Sequence, residues 1–243
     1  MTLSIRNIIS ILKAEWHGNN DISLIDNISI DSRSLQNDKN TLFFAINGPN
    51  HNGHQYIEDL IEKNVCNFVV TKVPENLSEK ANFLVVENTV EALQKFAAFY
   101  RNKFDFPVIG ITGSNGKTIV KEWLNFLLSP DYNIIRSPKS YNSQVGVPLS
   151  ILGINENHNL GIFEAGISLK NEMENLQKII LPTIGILTNI GSAHDEGFHD
   201  VGEKIKEKLK LFTNVKVLIL NKNKTILAFV NPKIKTFTWS SDD

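Results

Sequence analysis

Residues 108–118 read Val108-Ile109-Gly110-Ile111-Thr112-Gly113-Ser114-Asn115-Gly116-Lys117-Thr118. The stretch 108–112 is mostly apolar and β-branched, and it predicts a buried strand. The glycines that follow let backbone N–H groups curl around an anion, and a helix predicted over 117–128 adds its dipole. This order of strand, turn and helix is typical of a phosphate-binding loop. In such a loop Lys117 reaches the outer phosphates and the Thr118 hydroxyl ligates Mg²⁺.

One position departs from the general P-loop pattern, which is Gly, four residues, then Gly-Lys-Ser/Thr. The first position of that pattern is Ile111 here, and the nearest upstream glycine, Gly110, lies one residue too far. The alternative is a glycine-rich turn with an incidental Lys-Thr pair. The order of the elements favours the phosphate loop.

Strands and helices alternate along the second half of the chain. Further strands are predicted near 133–136, 160–164, 183–188 and 215–220, with helical stretches between them. This alternation predicts a doubly wound, mostly parallel sheet. Such sheets bind ligands at the carboxyl ends of their strands, so the polar residues there are candidates for function.

Two of these candidates are an acid and an imidazole. Glu164 ends the strand 160–164, where a Mg²⁺ bound to phosphates is expected, although a surface glutamate in a loop is the alternative. His194 follows the strand 183–188, where a lone histidine is more often structural. The other five histidines show no metal-ligand spacing.

The segment 201–212 predicts an amphipathic helix. At about 100° per residue, its apolar face carries Val201, Ile205, Leu209 and Phe212. Lys208 falls inside that apolar arc. Because an unpaired buried lysine is costly, we expect Lys208 to reach solvent, to pair or to be modified.

The first 104 residues predict a separate small α/β domain, followed by the phosphate-loop domain over 105–243. Helices are predicted near 4–16, 56–63 and 89–102, and strands near 28–30, 41–46, 68–70 and 83–86.

Composition excludes several classes of protein. The 243 residues carry 25 basic and 26 acidic side chains, a net charge of -1, which argues against a strongly basic nucleic-acid binder. The single cysteine, Cys66, excludes an intrachain disulfide framework and a cysteine-rich zinc site. The start has no long apolar segment, and no apolar run nears the roughly 20 residues that span a bilayer. We therefore expect neither nucleic acid nor a membrane as a partner.

Several separate motifs resemble the Mur ligase family and occur in its order. In the second half they are 112–118, Glu164-Ala165-Gly166, Asn189-Ile190-Gly191-Ser192-Ala193-His194 and Lys208-Leu209-Lys210-Leu211-Phe212. In the first half they are Asp31-Ser32-Arg33, Leu42-Phe43-Phe44-Ala45-Ile46-Asn47-Gly48 and His51-Asn52-Gly53-His54. The resemblance runs from about residue 26 to about residue 220. The strand ends, together with the segment 141–148, are similar to the MurF branch rather than to the MurE branch.

The resemblance implies roles for these residues. The loop Thr112, Gly113, Ser114, Asn115, Gly116, Lys117 and Thr118 would bind the phosphates of ATP. Thr118, Glu164, His194 and a carbamylated Lys208 would hold Mg²⁺, and Lys117, Lys208 and His194 would form the catalytic set. Asp31, Ser32, Arg33, Asn142 and Ser143 would bind the UDP-linked substrate. Two positions depart from the branch, which usually has asparagine at Ser143 and glutamate at Lys210.

The implied reaction is the ATP-dependent addition of D-alanyl-D-alanine to UDP-N-acetylmuramoyl-tripeptide in the cytoplasm, through an acyl phosphate. Family members are three-domain chains longer than this one, which stops at Asp243 within the central domain. We expect the last sheet strands, the adenine-binding region and the C-terminal domain to be missing. The isolated chain should therefore not ligate, and the full-length chain would supply the missing part.

Other functions stay open at this point. The chain could be a MurE-like ligase or a folylpolyglutamate synthase-like ligase, although the latter normally has its phosphate loop much nearer the start. It could also be a non-catalytic module that binds a nucleotide sugar. A P-loop NTPase of another family is the remaining alternative.

Overall fold

The computed structural model describes residues 2–36, 38–48, 51–191 and 197–240. The chain divides into two compact units, Met1–Phe99 and Tyr100–Asp243. Each unit has its own sheet and its own buried core, so the two are described separately.

Within the described residues, the first unit combines nine short strands with three helices, the last of which continues two residues beyond Phe99. The strands are β1 Leu3–Ser4, β2 Glu15–His17, β3 Leu24–Ile25, β4 Asn27–Ser29, β5 Thr41–Phe44, β6 Asn47–Gly48, β7 His51–Asn52, β8 Asn67–Val70 and β9 Asn82–Val85. The helices are α1 Ile5–Leu12, α2 Ile57–Glu62 and α3 Thr89–Arg101, with 3-10 turns at Ser32–Ser34 and Gly53–Tyr56. The main sheet has the order β2-β9-β8-β5-β4, with β2 antiparallel to β9 and the other pairs parallel.

Three phenylalanines form the centre of the core in this unit. Phe43, Phe68 and Phe83 come from the neighbouring strands β5, β8 and β9, and all three are fully buried. The rings of Phe68 and Phe83 stack at 5.5 Å, and Phe43 meets Phe68 edge-on at 6.2 Å. Such ring pairs add to the free energy gained from area burial alone.

The first helix is shorter than the sequence predicts. Helical spacing extends from Ile5 to Trp16, but α1 ends at Leu12 because Lys13 adopts a left-handed conformation with φ 57°. The Lys13 N–H then caps the helix by donating to the carbonyl of Ile9. Trp16 lies instead in β2, paired with Leu84.

The second unit is a doubly wound parallel sheet. Its strands are β10 Val108–Thr112, β11 Ile134–Arg136, β12 Leu160–Glu164, β13 Ile184–Leu187, β14 Val217–Asn221 and β15 Lys235–Trp239. Its helices are α4 Lys117–Leu128, α5 Gly146–Leu152, α6 Glu172–Ile180, α7 Val201–Leu209 and α8 Lys224–Leu227. The strand order is β11-β12-β10-β13-β14-β15, and all pairs are parallel. The predicted fold class, an α/β chain with a mostly parallel sheet in the second domain, is confirmed.

The register of this sheet places three strand ends side by side. Ile111 lies opposite Glu164 of β12, and Thr112 lies opposite Leu187 of β13. The phosphate loop, the Glu164 strand end and the segment after β13 therefore leave the sheet at neighbouring points of one edge.

Two details differ from the sequence expectation for the second unit. The predicted helix 201–212 is an α-helix only to Leu209 and continues as a 3-10 turn over Lys210–Phe212. Strand β15 lies beyond the last predicted strand. Among the described residues, no helix combines the length and the apolar character required to cross a membrane.

Candidate phosphate and metal site

The backbone of the phosphate loop depends on two glycines with positive φ. Gly113 has φ 147°, and a Cβ atom there would lie 2.0 Å from Thr188 Oγ1. Gly116 has φ 81° and forms the N-terminal cap of α4. The loop therefore passes close to the segment after β13, which a side chain at position 113 would prevent.

The segment after β13 holds the loop in place. Asn189 accepts from the Ser114 N–H through its carbonyl and from the Asn115 N–H through Oδ1, both at 2.9 Å. The Gly191 N–H donates to Ser114 Oγ at 2.9 Å, and Thr188 Oγ1 donates to the Asn115 carbonyl at 2.6 Å. The Asn189 motif singled out in the sequence thus supports the loop directly.

Lys117 is the first residue of α4, and its side chain folds back over the loop. Its Nζ donates to the carbonyl of Gly113 at 2.9 Å. Burial lowers the pKa of Lys117, while the nearby Glu164 carboxylate acts in the opposite direction. The ammonium therefore lies at the loop where an outer phosphate would need it.

Thr118 and Glu164, two predicted metal ligands, are in direct contact. Thr118 Oγ1 donates to Glu164 Oε2 at 3.0 Å, and Asn142 Nδ2 lies 3.4 Å from the same oxygen. Mg²⁺ binds six oxygens at about 2.0–2.1 Å in octahedral geometry, so neighbouring ligand oxygens lie about 3 Å apart. The hydroxyl and the carboxylate therefore fit one magnesium ion.

The protein would supply only part of that coordination shell. Among the described residues, no group of three or more His, Cys, Asp or Glu side chains is placed to hold a metal. Mg²⁺ in phosphate sites usually keeps waters and takes oxygens from the phosphates, which agrees with a sparse protein ligand set. His194, the other predicted ligand of this type, lies outside the described residues.

Lys208 is buried beside the loop, as its place on the apolar arc of α7 suggested. Its side chain is 1% exposed, and its Nζ lies 3.4 Å from the carbonyl of Gly113. Burial lowers the pKa of Lys208 to about 8, and the charges of Lys117 and Lys204 contribute in the same direction. Helix α7 thus places two lysines, Lys204 and Lys208, near Lys117 of the phosphate loop.

Lys210 stands where the related branch usually has glutamate, and its charge is compensated locally. Its Nζ lies 2.6 Å from Glu207 Oε2, and Asn171 Oδ1 is a further acceptor at 3.4 Å. The positive charge that Lys210 adds at this position is therefore balanced by the Glu207 carboxylate.

A cavity of about 250 Å³ opens beside these groups. Its lining includes Lys117, Asn142, Ser143, Gly166 and Lys208. The predicted substrate residues Asn142 and Ser143 therefore share a cavity with two of the predicted catalytic lysines. Ser143 also accepts from the Gly146 N–H at 3.1 Å, which places it at the start of α5.

The remaining predicted substrate residues lie in the first unit, on the turn after β4. Asp31 caps the 3-10 turn Ser32–Ser34 by accepting from the Arg33 N–H at 3.0 Å. Arg33 folds back onto Asp31 through two hydrogen bonds of 2.8 and 2.7 Å. The Asp31 carboxylate raises the pKa of Arg33. These three residues form one partly exposed turn held by local hydrogen bonds.

Two buried lysines at the site were not predicted from the sequence. Lys121 forms an ion pair with Glu164, and the Nζ of Lys204 donates to the carbonyl of Gly191 at 2.5 Å. Each lies one helical turn from a predicted residue, Lys121 after Lys117 and Lys204 before Lys208. That spacing of four residues on a helix is the signal that could have revealed them.

Sequence comparisons agree with the architecture. A family described as Mur ligase middle domain matches residues 111–242, and one described as Mur ligase family, catalytic domain matches residues 24–101. A UDP-N-acetylmuramoyl-tripeptide--D-alanyl-D-alanine ligase of Borreliella burgdorferi is 33% identical over 97% of this chain and 53% of its own length.

Structural comparisons give the same fold. A crystal structure of MurF from Acinetobacter baumannii matches with a TM-score of 0.89 and 22% identity, over 98% of this chain and 53% of that one. A crystal structure of MurF ligase from Thermotoga maritima in complex with ADP matches with a TM-score of 0.79 and 25% identity, over 89% of this chain and 51% of that one.

The chain spans about half the length of the curated relatives it matches at greatest coverage. Within that half, both family descriptions match in the order in which the two units occur, and one of them covers most of the second unit. This chain belongs to the Mur ligase family.

Proposed function

We propose that this chain carries the nucleotide-sugar site and the ATP-phosphate site of a MurF-type amide ligase. Such a ligase adds D-alanyl-D-alanine to UDP-N-acetylmuramoyl-tripeptide at the expense of ATP. The observation that carries the proposal is the contact of Thr118 Oγ1 with Glu164 Oε2 at 3.0 Å, beside Lys117 on a glycine loop. The two substrates in this proposal, UDP-N-acetylmuramoyl-tripeptide and D-alanyl-D-alanine, are those for which the relatives are named.

The phosphate loop would hold the triphosphate for attack by the terminal carboxylate of the tripeptide. That attack forms an acyl phosphate and releases ADP; the amine of D-alanyl-D-alanine then displaces phosphate and forms the amide. Charge accumulates on the transferred phosphoryl oxygens, and Lys117 and the N-terminus of α4 are placed to neutralise it. Catalysis by these groups rests on positioning and on electrostatic stabilisation.

Thr118 and Glu164 would hold Mg²⁺ in this proposal, with His194 as a predicted further ligand. The ion would supply charge neutralisation at the phosphates when it is bound. The chain's own contribution is to keep a hydroxyl and a carboxylate oxygen 3.0 Å apart at the mouth of the loop.

Lys208 would act as a carbamate. The reaction joins an uncharged amine to CO₂, forms a C–N bond and releases one proton, which turns a cation into an anion. A pKa of about 8 leaves an appreciable fraction of the amine uncharged near neutral pH, and the surrounding lysines would stabilise the resulting negative charge. A carbamate here would be a carboxylate-like metal ligand.

Asp31, Ser32 and Arg33 would bind the UDP-linked substrate in the first unit, and Asn142 and Ser143 are proposed as substrate-binding residues of the second unit. A cytoplasmic location goes with this function, because ATP and the UDP-linked precursor are cytoplasmic substrates. D-alanyl-D-alanine binding and closure over ATP are proposed for the part of the relatives that this chain does not span.

Calorimetric titration of this chain with UDP-N-acetylmuramoyl-tripeptide tests the proposal, with UDP-N-acetylglucosamine as the control ligand. We expect saturable binding of the tripeptide nucleotide and much weaker binding of the control. Equal binding of both would point to the second candidate, a module that recognises nucleotide sugars without ligating them. Binding of neither by the folded chain would contradict both.

A further inference from the structure

Helix α4 carries a fully buried cation for which the proposed function gives no role. Lys121 is 0% exposed and lies one turn after Lys117, on the face of α4 that packs on the sheet. Lysine is among the residues that are almost never fully buried unless they are paired. Its position in the core therefore has to be explained by its partners.

The Lys121 ammonium is surrounded by oxygen atoms. Its Nζ donates to the carbonyl of Ser137 at 2.8 Å and also to the carbonyl of Lys139. It lies 3.0 Å from Glu164 Oε1 and 3.1 Å from Glu122 Oε1. The two carbonyls accept hydrogen bonds from the ammonium and fix its position, whereas the contact with Glu164 Oε1 is an ion pair without hydrogen-bond geometry.

Glu164 is fully buried as well, and its two carboxylate oxygens face different partners. Oε1 faces Lys121 at 3.0 Å, whereas Oε2 accepts from Thr118 Oγ1 at 3.0 Å. The backbone at this position is also held, because the Glu164 N–H donates to Ser137 Oγ at 3.1 Å. Ser137 therefore contacts both members of the pair, through its carbonyl and through its hydroxyl.

We propose that Lys121 is a positioning residue that holds Glu164 by Oε1, so that Oε2 alone is presented beside Thr118 as a single-oxygen ligand for the divalent cation. The inference rests on the proposed phosphate and metal site. A carboxylate buried without a counter-charge is strongly disfavoured, so a cation on its inner side keeps the ligand charged and oriented. Groups that orient metal ligands typically change metal affinity by about 10–100-fold when they are replaced.

The test measures how much Mg²⁺ strengthens binding of inorganic triphosphate, a probe that needs only the phosphate loop and the metal. Affinity is measured by calorimetry in Mg²⁺ and again in EDTA, and the ratio of the two is the magnesium gain. For Lys121→Met we expect the magnesium gain to fall by about 10–100-fold. Glu164→Gln should lower it similarly, and the double variant should lower it no further, because both changes act through one carboxylate.

Lys121→Arg separates position from charge and also covers the case in which Lys121→Met fails to fold. A guanidinium binds a carboxylate through two parallel N–H groups and would engage both oxygens, so we expect the magnesium gain to fall although the charge is kept. Arg136→Met is the matched control, since the ion pair and the hydrogen bond of Arg136 both go to Glu122 of the same charged group and not to Glu164. It should leave the magnesium gain unchanged.

Each contrary result has a distinct meaning. A magnesium gain that is unchanged or larger in both Lys121 variants would overturn the positioning role, because Lys121 would then be a bystander or a competitor for Glu164. Additive losses in the double variant would overturn it too. Absence of any magnesium gain in the wild-type chain would remove the proposed metal site itself, and the role of Lys121 with it.

Discussion

Each of the two units contains an acidic side chain paired with a basic one, and the two pairs differ in environment. In the first unit Asp31 Oδ2 lies 2.7 Å from Arg33 Nη2, with the side chains 43% and 87% exposed. In the second unit Glu164 Oε1 lies 3.0 Å from Lys121 Nζ, and both side chains are 0% exposed. Similar distances, 2.7 and 3.0 Å, thus separate the charged atoms of a pair on a surface turn and of a pair buried between helix α4 and strand β12.

The difference in burial decides what each pair can do. The exposed pair is screened by water, so it shapes the turn and leaves the arginine free to exchange Asp31 for another anion. The buried pair cannot exchange partners without exposing a charge to a low-dielectric interior. In the proposed function, the first pair would accept a substrate anion in exchange, and the second would hold a metal ligand in one position.

The largest expected effect is the difference in stability between two variants that each remove one carboxylate charge, Glu164→Gln in the second unit and Asp31→Asn in the first. Glu164→Gln removes the buried partner of Lys121 and leaves the half-exposed Glu122 as the remaining carboxylate beside it, and loss of one partner of a buried pair costs about 3–5 kcal/mol. Asp31→Asn makes the same chemical change on the exposed turn, where an asparagine still caps, and should leave stability at the wild-type level. Urea unfolding followed by circular dichroism measures both.

Amide hydrogen exchange assigns each transition to a unit, which matters because a chain of two units need not unfold in one step. Protection should fall in β10 and β12 for Glu164→Gln and should be unchanged in β4 and β5 for Asp31→Asn. Equal losses in the two variants would show that burial does not distinguish the pairs.

The same contrast explains what could be predicted from the sequence. The strand Val108–Thr112 and the helix Lys117–Leu128 have the predicted bounds because glycines mark the turn between two strongly patterned segments. Asp31, Ser32 and Arg33 were singled out through the resemblance of that short motif to the family, and their role in substrate binding stays a prediction. Lys121 and Glu164 were not paired in advance, since their contact depends on how helix α4 packs against strand β12, which no short sequence pattern encodes. Trp16 was misplaced because one left-handed residue, Lys13, ends a helix that the spacing would continue.

A second prediction concerns Lys208, a buried cation with no ion-pair partner among the residues that the structure describes. Lys208 has a pKa of about 8 against an ordinary value of 10.5, so the charged form is disfavoured by folding. At pH 7 this costs on the order of 1–3 kcal/mol. Lys208→Met should therefore stabilise the second unit by about that amount, even though it removes the site of the proposed carbamate.

The pH dependence gives this prediction its sign. Between pH 8 and 10.5 the unfolded chain binds more protons at Lys208 than the folded chain does, so stability from this group rises with pH. The advantage of Lys208→Met over the wild type should be full below pH 8 and vanish towards pH 10.5. Urea midpoints of both proteins at pH 7, 8, 9 and 10 measure it. An advantage that does not change with pH would mean that packing, and not charge, is responsible.

The smallest effect is expected at a titrating side chain of the first unit, His54. Its Nε2 accepts from the Thr71 N–H at 3.0 Å, and Nδ1 faces Asn52 Oδ1 at 3.1 Å. A ring that accepts at Nε2 must carry its proton at Nδ1, so the structure contains the neutral tautomer. Burial lowers the pKa of His54 below its ordinary 6.5, in agreement with that assignment.

The sign for His54 follows from the lowered pKa. Its contribution to stability is complete above pH 6.5 and is lost as the pH falls through the folded-state pKa, because a protonated Nε2 can no longer accept from Thr71. The wild-type unfolding temperature of the first unit should therefore fall by a few degrees relative to His54→Gln between pH 7 and pH 5. His17→Gln, at a more exposed histidine that contacts Glu15, is the matched control. If His17→Gln abolished the acid sensitivity and His54→Gln kept it, the bond to Thr71 would not be its origin. The first unit would then owe its pH response to an exposed pair, which would reverse the contrast between surface and interior.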